Sequence, residues 1–139
     1  MPITHEVLPR KRLAIATALL VPLLALTGCS NGGGGVTDVG AKEAITLAAQ
    51  SDVKVIDVRT PQEFAAGHLP NAINIDIEAS TFDTQVKQLP VSAKYFVYCR
   101  SGNRSGVATN RMSAEGFTSL YDLQGGIQQW AAAGGSVVS

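Results

Sequence analysis

Tyr95-Phe96-Val97-Tyr98-Cys99-Arg100-Ser101-Gly102-Asn103-Arg104-Ser105 passes from an aromatic and β-branched run into a short polar loop. The stretch after it, Ser105 to Glu115, reads as a helix. Residues 95–98 are apolar on both faces, the mark of a strand in a parallel sheet covered on both sides by helices. Gly102 and Asn103 both tolerate positive φ, so the loop can curl and turn its N–H groups inward. The start of the following helix adds partial positive charge, and Arg100 and Arg104 add full charges. A cysteine at the mouth of such an anion cradle is expected to have a lowered pKa and to act as a thiolate nucleophile. A cysteine that closes an apolar strand is more often an inert core residue. Two arginines placed around a Gly-Asn turn are what argue for chemistry here.

Working outward, Val53–Val58, Ala72–Ile75 and Ser119–Leu123 read as further strands. Ala41–Gln50, Thr81–Leu89 and Gly126–Ala133 read as helices, and Gly116 fits as the C-terminal glycine of the helix after Cys99. A helix starts at Pro61, with Thr60 as N-cap and Glu63 completing a capping box. Strands alternating with helices predict an α/β domain of three layers, a mostly parallel sheet flanked by helices. In such sheets the ligand site lies beyond the carboxyl ends of the strands. Two ends carry chemistry-bearing residues: Asp57-Val58-Arg59 and Cys99-Arg100. A local Arg59–Glu63 surface pair is the plain alternative for Arg59.

Three ordered motifs resemble the rhodanese family. Cys99-x-x-Gly102-x-Arg104-Ser105 is similar to its active loop. Asp57-Val58-Arg59-x-x-x-Glu63-Phe64-x-x-Gly67-His68-Leu69-Pro70-x-Ala72-x-Asn74-Ile75 is similar to its upstream signature. Leu123-x-Gly125-Gly126-x-x-x-Trp130 is similar to its C-terminal one. The resemblance implies a rhodanese-like domain around a five-stranded, mostly parallel sheet. It further implies transfer of sulfane sulfur from a small donor such as thiosulfate to a thiophilic acceptor, through a persulfide on Cys99. Arg100, Ser101, Gly102, Asn103, Arg104 and Ser105 are then the substrate-binding loop, and Asp57 and Arg59 brace it. His68 is expected to satisfy backbone groups in a turn rather than act as a base. Trp130 is expected to pack in the core. Asn71 stands where the family often has glycine, and asparagine is the best substitute at a left-handed turn. Ser136 stands where it often has proline.

The N-terminus reads as an address. Arg10-Lys11-Arg12 precedes a 14-residue apolar run, Leu13 to Leu26. Crossing a bilayer takes about 20 apolar residues, so this run fits a signal-peptide core. Leu26-Thr27-Gly28-Cys29 resembles the bacterial lipoprotein box, which implies cleavage after Gly28 and acylation of Cys29. Two acyl chains on one residue suffice for stable anchoring. The expected organisation is a removed signal over 1–28, a lipidated Cys29 with a Gly-rich tether over 29–36, and the domain over 37–139. The domain would be extracytoplasmic, held on the bacterial cell membrane or outer membrane.

Whole-chain charge is balanced, 11 basic against 11 acidic residues, but residues 29–139 hold eight basic and ten acidic side chains, net −2. Nothing in that balance suits nucleic acid. One histidine and no Cys/His spacing in the same residues give no metal site, and no cofactor is implied. Three rival readings remain. A sulfur-carrier or interaction module would share the fold with little turnover. A phosphatase or arsenate reductase would need C-x5-R, whereas Cys99 to Arg104 is C-x4-R and makes a smaller cradle. Thiol–disulfide exchange would need a partner thiol from outside, because C-x-x-C is lacking.

Overall fold

The structure, a computed structural model, describes residues 35–139. The segments expected to be a signal peptide and a lipidated Cys29, and most of the expected tether, lie outside the described residues. Five strands form one sheet: β1 (Val36–Val39), β2 (Val53–Asp57), β3 (Ile73–Asn74), β4 (Lys94–Tyr98) and β5 (Leu120–Leu123). Their order across the sheet is β1-β5-β4-β2-β3, and every pairing is parallel. The helices are α1 (Ala41–Ala48), α2 (Pro61–Ala66), α3 (Phe82–Val86), α4 (Asn103–Ala114) and α5 (Gly126–Ala132).

The central strand β4 is buried on both faces, as its composition predicts. Tyr95, Val97 and Cys99 pack with Phe82, Val86, Ala108, Met112 and Phe117 under α3 and α4. Phe96 and Tyr98 pack with Ala44, Leu47, Leu69 and Trp130 under α1 and α5. Trp130 is core, as expected, and its Nε1 donates to the Ser136 carbonyl at 2.9 Å. From β2 the chain moves to β3 on one side, and from β4 to β5 on the other. Adjacent strands whose connections diverge leave a crevice at their carboxyl ends. Asp57 and Cys99 stand at that crevice.

Several element boundaries differ from the sequence reading. β1 was not singled out: of its four residues only Val39 is buried, so Val36-Thr37-Asp38-Val39 has little apolar pattern. Its first residue, Val36, falls within the span read as tether. Helix α3 stops at Val86 rather than Leu89, because Pro90 disfavours helical backbone just before it. Helix α4 begins two residues early. Gly102, at φ 102°, is its N-cap, so Asn103 and Arg104 lie in the first helical turn and Asn103 takes no positive φ. Asn71 does, at φ 61°, in the turn where the resemblance led us to expect glycine's conformation.

Candidate active site

The loop between β4 and α4 folds over the Cys99 sulfur. Gly102 N donates to Sγ at 3.1 Å, and Ser105 Oγ lies 3.6 Å from it. The Ser105 hydroxyl in turn donates to the Gly102 carbonyl at 3.1 Å, closing a small ring. Burial pushes the Cys99 thiol up. The amide and hydroxyl of Ser105 and the amides of Ser101 and Gly102 outweigh burial, so the net shift is downward. The cradle expected from the sequence is therefore built chiefly from backbone N–H groups and one hydroxyl at a helix N-terminus.

Its outer face is fixed by α5. Ile127 N donates to the Cys99 carbonyl at 2.9 Å, and Gln128 N to that of Arg100 at 3.4 Å. Gly126, at φ 60°, passes so close that a Cβ there would stand 2.4 Å from the Arg100 carbonyl oxygen. The Gly125-Gly126 pair thus lets a helix start directly against the loop.

From the other side comes β2. Asp57 is fully buried and accepts from Arg59 Nε at 2.9 Å, from Arg59 Nη2 at 2.6 Å and from the Tyr98 hydroxyl at 2.6 Å. Tyr98 also accepts from Leu69 N at 3.0 Å, and Arg59 donates to the Gly67 carbonyl. Asn74 Nδ2 donates to the carbonyls of Asp57 and Arg59. Asp57 and Arg59 are therefore linked to the residue before Cys99. The alternative Arg59–Glu63 pair does not form. Glu63 instead completes the capping box on Thr60 and grips Arg104 with two bonds, 2.7 and 2.8 Å. His68 is held in its turn, with Nδ1 2.9 Å from the Phe64 carbonyl and its ring stacked on Phe64.

Glu63 changes the electrostatic reading of the loop. Arg104, counted as an open cation in the sequence, has its charge compensated by Glu63, with Glu78 at 3.6 Å. Arg100 is exposed and makes no salt bridge among the described residues. Arg104 still feels Cys99 across the loop, behind the stronger hold of Glu63. Among the described residues there is no group of three metal-ligating side chains, and no helix is long and apolar enough to cross a membrane.

The family model of the rhodanese-like domain matches residues 40–133, which span this whole site. The chain belongs to the rhodanese-like family. It is 33% identical over 93 residues to a sulfurtransferase of Allochromatium vinosum, covering 67% of this chain and 85% of that one. It is 33% identical over 92 residues to the thiosulfate sulfurtransferase GlpE of Pseudomonas entomophila, covering 66% and 82%. The crystal structure of a rhodanese-related protein from Thermoplasma volcanium superposes with a TM-score of 0.65 at 36% identity, covering 73% of this chain and 96% of that one.

Three features of this rhodanese-like site escaped the sequence reading. Tyr98 was read as core only, although a buried phenol needs a partner for its hydroxyl. Glu63 was assigned to its own helix and not across to Arg104; an acid with two hydrogen-bonding oxygens can serve both. Asp122, buried beneath α4, was passed over inside an apolar strand.

Proposed function

We propose that this rhodanese-like domain is a sulfurtransferase that carries sulfane sulfur as a persulfide on Cys99. The observation that supports it best is the Gly102 amide 3.1 Å from Sγ, within a cradle that lowers the thiol's pKa. The thiolate attacks the outer sulfur of a donor such as thiosulfate. The donor's S–S bond breaks, sulfite leaves with the bonding pair, and Cys99 keeps one extra sulfur. A thiophilic acceptor, cyanide or a small thiol, then attacks that sulfur and the Cys99 thiolate leaves. The amides of Ser101, Gly102 and Ser105 hold the anionic sulfur, and Arg100 draws the donor to the rim. Asn103 and Arg104, in the first turn of α4, shape the wall. Asp57 and Arg59 brace it through Tyr98.

The loop geometry argues against a phosphatase. Four residues separate Cys99 from Arg104, and Arg104 is turned to Glu63 rather than left open for a phosphate dianion. The test is steady-state turnover with thiosulfate and cyanide, with aryl phosphate as the control. Thiocyanate release over many cycles supports an enzyme. A single loading that then stalls identifies a carrier module, and aryl phosphate hydrolysis without sulfur uptake rejects both.

The same proposal places the domain outside the cytoplasm on a lipidated Cys29. A fatty-acid probe fed to cells marks the wild type and not Cys29→Ala. Equal labelling of both contradicts the anchor.

A further inference from the structure

Asp38 of β1 and Asp122 of β5 are paired in register on neighbouring parallel strands. Val36 and Leu120, two positions before them, pack into the core under α4, so both carboxyls face α4 as well. Like charges side by side on adjacent strands repel. Asp122 is 3% exposed, and its Oδ1 has no hydrogen-bond partner among the described residues. Oδ2 has only Gln124 Nε2, at 3.5 Å. A packed strand ordinarily avoids a buried carboxyl this poorly satisfied. No side-chain cation offsets the pair. Neither aspartate makes a salt bridge among the described residues, and the arginines of α4, Arg104 and Arg111, are turned to Glu63 and Asp83. Asp122 instead borders a cavity of about 490 Å³ between α4 and the β1–β5 edge of the sheet. Its Oδ2 is turned to that cavity: Gly106, on the wall, leaves open the space where a Cβ would stand 3.4 Å from the oxygen. Asp38, Asn110 and Gln124, all exposed, rim the cavity around the buried carboxyl.

We propose that this cavity binds a hard divalent cation of the calcium type, held by the Asp38 and Asp122 carboxylates and the carboxamide oxygens of Asn110 and Gln124. The donors are all oxygens, and no histidine or cysteine lines the cavity, which selects against zinc and copper. Calcium takes about six to eight oxygens from carboxylates, Asn and Gln carbonyls and waters, in flexible geometry. Magnesium demands a near-ideal octahedron. Three of the four side chains here stand on an exposed rim and can adjust, and the cavity has room for waters to complete the shell. Gln124 needs only to turn its amide over to present Oε1 in place of Nε2. With two acidic ligands and two neutral ones the site should be weak, in the range of about 10⁻⁴–10⁻³ M found for extracellular calcium modules. The ion would tie β1, an edge strand paired with β5 alone, to both β5 and α4. The inference does not depend on the sulfurtransferase reading.

The test is equilibrium dialysis of the full chain against calcium chloride, with magnesium chloride as the comparison. The wild type should bind one calcium ion with a Kd of about 10⁻⁴–10⁻³ M, and magnesium about tenfold more weakly. Asp38→Asn changes an exposed position and should fold normally. Its calcium affinity should fall about tenfold, because ligand charge sets the strength of such sites. Asp122→Asn should bind none. Calcium that binds only the folded chain should also raise the wild-type urea midpoint, and raise that of Asp38→Asn less. No saturable binding at millimolar calcium overturns the proposal, and so does magnesium binding as tightly as calcium. Wild-type affinity in Asp38→Asn would place any bound ion elsewhere and overturn it equally. If Asp122→Asn does not fold, Asp38→Asn decides alone.

Discussion

Glu63 binds Arg104 through two hydrogen bonds, 2.7 and 2.8 Å, and so ties the N-terminus of α2 to the first turn of the helix behind Cys99. Arg104, opposed by burial and helped by the Thr60 hydrogen bonds, holds the Glu63 carboxyl down at about 2. The folded pKa lies below the unfolded value of about 4.3. The stabilisation is therefore present above that value and is lost as pH falls through about 2. Both side chains are about a quarter to a third exposed, so solvent screening limits the effect to about 1 kcal/mol. Glu63→Gln should lower the urea midpoint at neutral pH. Between about pH 5 and about pH 2 the wild type should lose more stability than the variant, and the two should converge. Parallel curves across that range would show the pair to be inert.

Tyr98→Phe removes the hydroxyl that joins Asp57 to the Leu69 amide. Two buried groups lose a partner, at a cost of about 1–3 kcal/mol. Urea unfolding should show that loss while sulfur uptake on Cys99 persists. An unchanged midpoint would mean that the brace does not hold the strand ends together.

Gly126→Ala places a methyl 2.4 Å from the Arg100 carbonyl oxygen. It should move the loop, lower stability and abolish sulfur transfer together. Gly116→Ala meets nothing within 4 Å and carries only the strain of φ 97°, about 1–2 kcal/mol. Its thiosulfate turnover should be near that of the wild type under conditions where it is folded. Equal losses of turnover in the two variants would refute the close-approach account.

Arg100→Ala should raise KM for thiosulfate more than it lowers kcat, by about tenfold for a lost charged hydrogen bond of about 1.5 kcal/mol. The side chain is exposed, so the urea midpoint should not move. Unchanged KM would transfer donor binding to the loop amides alone.

The legible part of the fold was the part with strong local signals. The β4 run, the Thr60-Pro61-Glu63 helix start and the Gly102 turn each leave a mark in a few adjacent residues. β1 left none, because an edge strand with one buried residue has no face to pattern. The start of α4 was misplaced because a left-handed Gly102 caps the helix directly, pulling Asn103 and Arg104 out of the loop. The charge on Arg104 was readable, but its compensation was not. Glu63 is 41 positions away, and the parallel pairing of β2 with β4, the strands that lead into the two segments, brings them together.

The most direct test of the central claim is the intact mass of the purified protein after incubation with thiosulfate, and again after cyanide. The wild type should gain the mass of one sulfur atom and lose it to cyanide as thiocyanate forms. Cys99→Ser keeps the loop's shape but has no thiolate, and it should gain nothing while remaining folded. No gain in the wild type, or an equal gain in folded Cys99→Ser, would contradict a persulfide on Cys99.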